Sequence, residues 1–511
     1  MSDIAEDEGR KKRLFLNTFS SLLLQITTII CGFILPRLIL KAFGSEVNGL
    51  VNSITQFLGI ISFLELGVGA VVQSSLYKPL AEHNDDQVSR VIKSANKFFH
   101  TIAAILLIYV IFLVIFYPRF ARQNFGYWYT ASLIIAISIS SFAQYYFGIV
   151  NRLLLNADQR GYIQYNTQTL AVIVNTATCY VLIMAGCSIQ IVKLTTSLIY
   201  LIQPFLVYLY VRHHYHFNRK ITYTEEPIKQ KWNGIAQHIA AVILDNTDIV
   251  VLTSFSSLTA VSIYSVYYLV IKGVKQLFMS LTGGIESLLG ELWAKQDLKK
   301  VNKVFSWSEW SIHTASVFVW GVTAIAIVPF IKVYTRGIND ADYIQPLFAA
   351  LIVAANAGHC LRLPYNIMIL AAGHYKQTQN SYIIAAIMNI VISVLAVKRF
   401  GLIGVAIGTL IAMMYQTIWM AWYDSKNIIK WPFVKFIKQM IVDFITIVIM
   451  YFATKPIHMM GINYVYWVVY AIIVSVISLV LIVLINLIFY RSKMKHLFRK
   501  IKSGGIKNLK Q

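Results

Sequence analysis

The sequence predicts an all-α integral membrane protein of about fourteen transmembrane helices, built as two six-helix bundles related by an internal repeat plus two C-terminal helices. Three observations lead there. Apolar runs of about 18 to 25 residues recur along the whole chain, each long enough to cross about 30 Å of hydrocarbon. The basic residues gather in the breaks between alternate runs. Positions in the second half repeat those of the first at a near-constant offset.

The composition supports the first point. Of the 511 residues 57% are hydrophobic and 13% charged, with a mean hydropathy of +0.63, whereas soluble domains are about a quarter charged. The formal net charge of +23 raises the question of nucleic acid. The basic residues are not collected on one domain and no nucleic-acid motif accompanies them, so no nucleic-acid partner is expected. Cys31, Cys179, Cys187 and Cys360 lie inside or at the end of apolar runs without CxxC or metal spacing and read as small apolar fillers. The N-terminus opens with an acidic stretch, then Arg10-Lys11-Lys12-Arg13, a basic anchor without a small-residue cleavage signature.

Apolar runs between polar breaks place spans at 14–35, 48–76, 98–117, 128–150, 163–185, 189–211, 234–254, 258–290, 308–331, 345–371, 380–397, 402–422, 434–453 and 463–490. The expected organisation is a cytoplasmic N-terminal segment 1–13, an N-terminal bundle 14–211, a cytoplasmic linker 212–233, a C-terminal bundle 234–422, two additional helices over 434–490 and a basic tail 491–511. With both termini and the even-numbered connections on one side, that side holds about 32 of the 45 Lys and Arg and the other about 9, which makes the first side cytoplasmic. Its basic tracts serve as topology anchors or meet anionic membrane lipids.

An offset of 213 aligns Leu76, Ala81, Val88, Val91, His100 and Thr101 with Leu289, Ala294, Val301, Val304, His313 and Thr314, and an offset of 215 aligns Asn151, Leu155 and Gly186 with Asn366, Leu370 and Gly401. Repeated halves are how many secondary transporters build a central site between two bundles. The sequence has no GxxxxGK[ST] loop, no HExxH and no nucleophile elbow, and its loops are too short for a catalytic domain, so neither an enzyme nor a cofactor or metal is expected. The tract Arg212-His213-His214-Tyr215-His216 has no further ligand nearby and reads as a solvated loop.

Asn17-Thr18-Phe19, Pro36-Arg37, Phe43-Gly44, Val47-Asn48-Gly49-Leu50, Leu64-Glu65-Leu66-Gly67, Leu153 to Ala157 and Gly401 to Ala406 together resemble the polysaccharide flippases of the multidrug/oligosaccharidyl-lipid/polysaccharide exporter superfamily. The resemblance implies two bundles around a cavity, with helices thirteen and fourteen lining a lateral groove. It also implies a substrate, an oligosaccharide linked through pyrophosphate to a polyprenol, flipped from the cytoplasmic to the outer leaflet of a bacterial or archaeal cell (inner) membrane. A polysaccharide polymerase and glycosyltransferases would be its partners.

Intramembrane charges are costly, so they face protein or water and mark function. Tyr264, Tyr268, Lys272 and Lys275 follow helical spacings of four, four and three, which puts two phenols and two amines on one face. They are substrate-binding candidates, with ion pairing to Asp245 and Asp248 as the compatible alternative. Those two carboxylates share a face of the seventh span and either exchange a proton or hold a static salt bridge. Arg362, beside Pro364 in the tenth span, is a candidate for bidentate phosphate contact or for snorkelling to the interface. Glu65 is a candidate for gating or helix packing. An ion-coupled multidrug or cation antiporter, a peptidoglycan-precursor lipid flippase and a membrane polymerase or ligase are the rival readings. The first should carry an acidic cavity and the last a large external loop.

Overall fold

A computed structural model of the chain describes residues 2–64, 66–120, 125–215, 217–218, 221–223, 225–228, 235–429 and 431–502. Among the described residues the regular structure is entirely helical. A bilayer leaves no water to satisfy backbone N–H and C=O groups, so they must be paired within the segment that spans it. The first half holds α1 (Ser2–Gly59), a 3-10 turn (Ile60–Leu64), α2 (Leu66–Ala81), α3 (Asp85–Phe120), α4 (Tyr127–Ala143), a π-helical turn (Gln144–Gly148), α5 (Ile149–Ala157), α6 (Gly161–Met184) and α7 (Ile189–His214). The second holds α8 (Ile235–Phe255), α9 (Leu258–Ala294), α10 (Leu298–Tyr334), α11 (Pro346–Leu361), α12 (Leu363–Ala371), α13 (Tyr375–Phe400), α14 (Leu402–Asn427), α15 (Phe433–Thr454), α16 (Tyr464–Phe489) and α17 (Arg491–Lys502).

Among the described residues, 11 helical stretches are long and apolar enough to cross a membrane. One of them, Lys12–Ser62, runs for 51 residues, about 76 Å at 1.5 Å per residue and far more than one crossing needs. It is broken at Gly44, whose φ of 83° and ψ of 175° lie outside the helical region, so the expected first and second spans meet inside it. The second expected span is itself interrupted by the 3-10 turn and continues in α2. The expected seventh and eighth spans fall on α8 and α9, parts of whose side chains lie outside the described set. Large apolar side chains point outward all along the chain, Ile108 at 68%, Leu395 at 71% and Ile488 at 73% exposure among them. In water such a surface would aggregate; here it is the lipid-facing surface of a multi-pass membrane protein.

The chain divides into two compact units, one of residues 1–269, 337–341 and 390–405, the other of 270–336, 342–389 and 406–511. The first has a continuous apolar core in which Leu50, Ile54, Phe99, Leu106 and Leu133 are fully buried. Polar stitches cross it: Asn48 Nδ2 donates to Ser262 Oγ at 2.7 Å, Ser53 and Thr253 share a hydrogen bond of 2.6 Å, and Tyr117 donates to Ser53 at 2.7 Å. Gly49 sits where the chain of α9 begins, and a Cβ built there would lie 1.8 Å from the Leu258 carbonyl oxygen. No residue with a side chain fits this approach.

In the second unit α15 and α16 lie along α10 through two apolar patches, Val317 with Met450 and Ile482, and Ala326 with Tyr470 and Val474. Buried polar contacts accompany them. His313 Nδ1 lies 2.6 Å from Asp443 Oδ2, Trp310 donates to Asn486 at 2.7 Å, and Glu309 accepts from Tyr365 at 2.7 Å and from Trp431 at 3.1 Å.

In each unit the connections that touch belong to the same charge class. On the basic side of the first unit, Asn17 accepts from the Tyr162 backbone at 2.7 Å and donates to the Gln159 carbonyl at 2.8 Å, while Lys93 donates to the Ile221 carbonyl at 2.6 Å. On the other side, the Ser45 backbone and hydroxyl donate to Asp340 at 2.6 and 2.7 Å, which caps the helix restarted after Gly44. In the second unit Lys493 donates to the Ser306 carbonyl at 2.7 Å and Arg336 to the Ile462 carbonyl at 2.9 Å.

Lys493 belongs to the basic helix α17 and lies 5.8 to 6.0 Å from the ring centroids of Trp307, Trp310 and Tyr490. Burial pushes its ammonium from the usual lysine range down to about 8; Glu309 acts in the opposite sense and Lys435 in the same one. The folded state therefore binds this proton less tightly than the unfolded chain does. Below about pH 8 the cost of burying the cation is fully present, and it is relieved as pH rises toward the unfolded value of about 10.4.

Two outcomes follow. Gly49→Ala lowers the thermal midpoint in detergent, by a loss of about 1–3 kcal/mol for overpacking, while Gly32→Ala, with nothing within 4 Å of a built Cβ, leaves it unchanged or raises it. The Tm of the wild type relative to Lys493→Met increases between pH 8 and 10, and a difference flat across that range would contradict the burial of this cation.

A cationic, donor-rich candidate site

The helix between Pro346 and Ala371 is divided at Arg362, which serves as the C-cap of α11 and the N-cap of α12. Pro364 lacks an N–H and disfavours the helical conformation just before it, which explains a division at this point. Arg362 is only 7% exposed. Its Nη1 donates to the Gln416 Oε1 of α14, and its Nη2 lies 2.7 Å from His359 Nδ1. Thr417 Oγ1 donates to the Gly358 carbonyl at 2.9 Å and ties α14 to α11 beside them.

The donor inventory follows from the guanidinium. Arginine has five N–H donors and no acceptor, so His359 Nδ1 accepts, and the ring proton is assigned to Nε2. The Gln416 carbonyl is likewise taken up by Arg362, which leaves its amide nitrogen as a donor. Both His359 Nε2 and Gln416 Nε2 are buried without a hydrogen-bond partner among the described residues. A buried donor left unmade costs about 1–3 kcal/mol. Lys275, half-buried on α9, is close enough to act electrostatically on His359 and on its neighbour Cys360, as is Arg362. Two cations and two unfilled neutral donors thus converge on one region of the second unit. Such a set suits an anion with several acceptor oxygens.

The remaining candidates are distributed differently. Tyr264, 3% exposed, donates to Asp248 Oδ2 at 2.8 Å and stacks on Tyr268 with ring centroids 5.5 Å apart. These three residues form a group in the first unit, in which the buried carboxylate of Asp248 is held by a phenol. Lys272 is exposed on α9. Asp245 lies in α8 but its side chain falls outside the described set, and Glu65 lies outside the described residues. Sequence reasoning missed His359 and Gln416. His359 precedes Arg362 by three residues and so shares its helix face, a signal that was present. Gln416 is a lone amide in an apolar span whose partner is set only by packing.

No protein-family model matches the chain, and no curated protein matches it. Solved structures do. A lipid II flippase, MurJ, in an inward closed conformation superposes with a TM-score of 0.70 at 16% identity, over 93% of this chain and 100% of that one. A multidrug resistance MATE family transporter of the MOP superfamily, inward-facing, gives 0.58 at 15% identity over 78% and 94%. The Vibrio cholerae MATE transporter VcmN gives 0.58 at 10% identity over 82% and 98%. These neighbours are transporters and flippases, and the chain has the fold they share.

Proposed function

We propose that this protein is a flippase that carries a polyprenyl-pyrophosphate-linked oligosaccharide from the cytoplasmic to the outer leaflet by alternating access, for cell-surface polysaccharide synthesis. The observation that carries the reading is the surplus of donors around Arg362. A pyrophosphate presents several anionic oxygens. Arg362 and Lys275 would supply charge, the free N–H groups of His359 and Gln416 would supply direction, and Lys272, exposed on α9, would meet the sugar. The two halves of the chain would act as the moving bodies, with the two helices after them as additions. On this reading the protein sits in a bacterial or archaeal cell (inner) membrane with both termini cytoplasmic, and a polysaccharide polymerase and glycosyltransferases act beside it. Export of each negative charge from a negative interior releases about 2.3 kcal/mol per 100 mV, so a doubly charged headgroup would need no ATP. Asp245, Asp248 and Glu65 would be the groups that couple an ion, where one is exchanged.

A second reading has a specific observation in its favour. The fold match to a lipid II flippase covers nearly the whole chain, which supports a peptidoglycan precursor as cargo of the same chemical type. A cation antiporter of this fold fits less well, because the candidate site is cationic.

Transfer of polyprenyl-pyrophosphate oligosaccharide, and separately of lipid II, across proteoliposomes tests both. Wild type moves the first. Lys275→Ala and Arg362→Ala each lower the rate about tenfold or more at equal protein level and unchanged thermal midpoint, and Arg362→Lys restores part of it. Transfer of lipid II alone would favour the second reading. Undiminished transfer in both alanine variants would overturn the anion site.

A further inference from the structure

The offset that relates the two halves makes α3 the counterpart of α10. Lys93, Asn96, Lys97 and His100 thus correspond to Ser306, Glu309, Trp310 and His313. In the second unit this stripe is covered: Ser306 accepts from Lys493 of α17, Trp310 donates to Asn486 of α16, and His313 meets Asp443 of α15. In the first unit the same stripe lines an open slot beside α7. Lys93, Lys97 and His100 are exposed there.

The slot has a built shape. Its floor is the π-helical turn Gln144–Gly148, whose extra residue per turn turns Tyr146 and Phe147 outward. Tyr146 stacks on His100 at 4.2 Å between centroids, and the His100 ring lies 3.1 Å from the Tyr146 carbonyl. Pro204 of α7 closes against Gly148. Two cavities of about 530 and 290 Å³ share Asn96, Asn151 and Tyr208 and so join end to end. One end is basic, with Lys93 and Arg212 and with Lys97 along the adjoining wall. The other is apolar, with Ala143, Phe147, Leu201 and Phe205. No Asp or Glu is among the described residues that line these three openings.

Length identifies the occupant. From Leu201 to Arg212 the slot follows eleven residues of helix, about 16 Å at 1.5 Å each. One leaflet of hydrocarbon is about 15 Å. An acyl chain of one leaflet matches that length, whereas a polyprenyl chain exceeds it. Lys93 is already engaged with the Ile221 carbonyl; among the described residues the further cations are Arg212 at the basic end and Lys97 on the adjoining wall. We propose that the slot binds one anionic phospholipid of the leaflet on the basic side, its phosphate on Lys97 and Arg212 and an acyl chain along His100, Tyr146, Phe147 and Phe205. A lipid thereby fills, in the first half, the position that α15 to α17 fill in the second.

Native mass spectrometry of the purified chain, titrated with phosphatidylglycerol and with phosphatidylcholine, tests this without reference to transport. Wild type retains one phosphatidylglycerol and discriminates against phosphatidylcholine. The double variant Lys97→Ala/Arg212→Ala weakens retention at least fivefold with an unchanged thermal midpoint, and Leu201→Trp, which fills the apolar end and keeps the charges, weakens it as well. Equal binding of the two lipids, or undiminished retention in both variants, would overturn the proposal. So would displacement of phosphatidylglycerol by polyprenyl phosphate, or a protein subunit held at this face in place of lipid.

Discussion

A polar group inside a bilayer cannot fall back on water, and each feature of this chain follows from how that constraint is met. The backbone meets it by forming helices, each satisfying its own N–H and C=O groups. Buried side chains meet it by pairing across helices, so Asn48 reaches Ser262, Tyr264 reaches Asp248, and Glu309 takes two donors from Tyr365 and Trp431. These pairs also set register, because a helix shifted by one residue would strand both partners. The region of Arg362 is one of the places that depart from the rule. There Gln416 Oε1 and His359 Nδ1 accept from the guanidinium itself, and His359 Nε2 and Gln416 Nε2 are left without a partner among the described residues. A group that costs stability when unpaired gains most from a ligand that pairs it, which is why the surplus reads as a binding device.

The helices were legible because hydropathy over about twenty residues reports directly on membrane crossing. Their interruptions were only partly so. Gly44 and Gly49 appear in the sequence as motif residues; that Gly49 admits the Leu258 backbone depends on a segment some two hundred positions away. The π-helical turn at Gln144–Gly148 and the 3-10 turn at Ile60–Leu64 left no distinct signal, since Gln144, Gly148 and Ser62 among apolar and aromatic residues also occur in unbroken spans. The site divided in the same way. Helical spacing put Lys272 and Lys275 on α9 near one face, yet Lys275 is half-buried near His359 whereas Lys272 is exposed. Three positions along a helix decide between those environments, and only the packing of α11 and α14 says which.

The chemistry of the site bears on what kind of transporter fold this is. A multidrug or cation carrier needs carboxylates or aromatic faces aimed at its cargo. The cluster around Arg362 offers positive charge and N–H groups instead. Arginine also holds its charge at any pH the protein meets, and its planar fork matches two oxygens of a phosphate at once. Lysine adds a compact charge without direction. A planar donor, a point charge and two neutral donors are suited to an anion with a bridging oxygen and several terminal ones, and far less to a monovalent halide or a cation.

The internal repeat explains why the two halves need not be equally complete. A helix face that evolved by duplication starts with the same polar pattern, and the pattern must then be satisfied twice in the same low-dielectric surroundings. In the second half the counterpart stripe carries Trp310 where the first has Lys97 and Val317 where it has Ala104, its polar members Glu309 and His313 are paired, and the later helices α15 and α16 cover it. In the first half the stripe kept lysines, a small residue at 104 and a histidine that stacks outward on Tyr146. Covering the lysines with an apolar helix would carry a large desolvation cost, and Lys93 is met instead by the Ile221 carbonyl of the connecting segment. What remains compatible with both the charges and the apolar end is a molecule that is itself anionic at one end and aliphatic at the other, and the membrane supplies that molecule in excess.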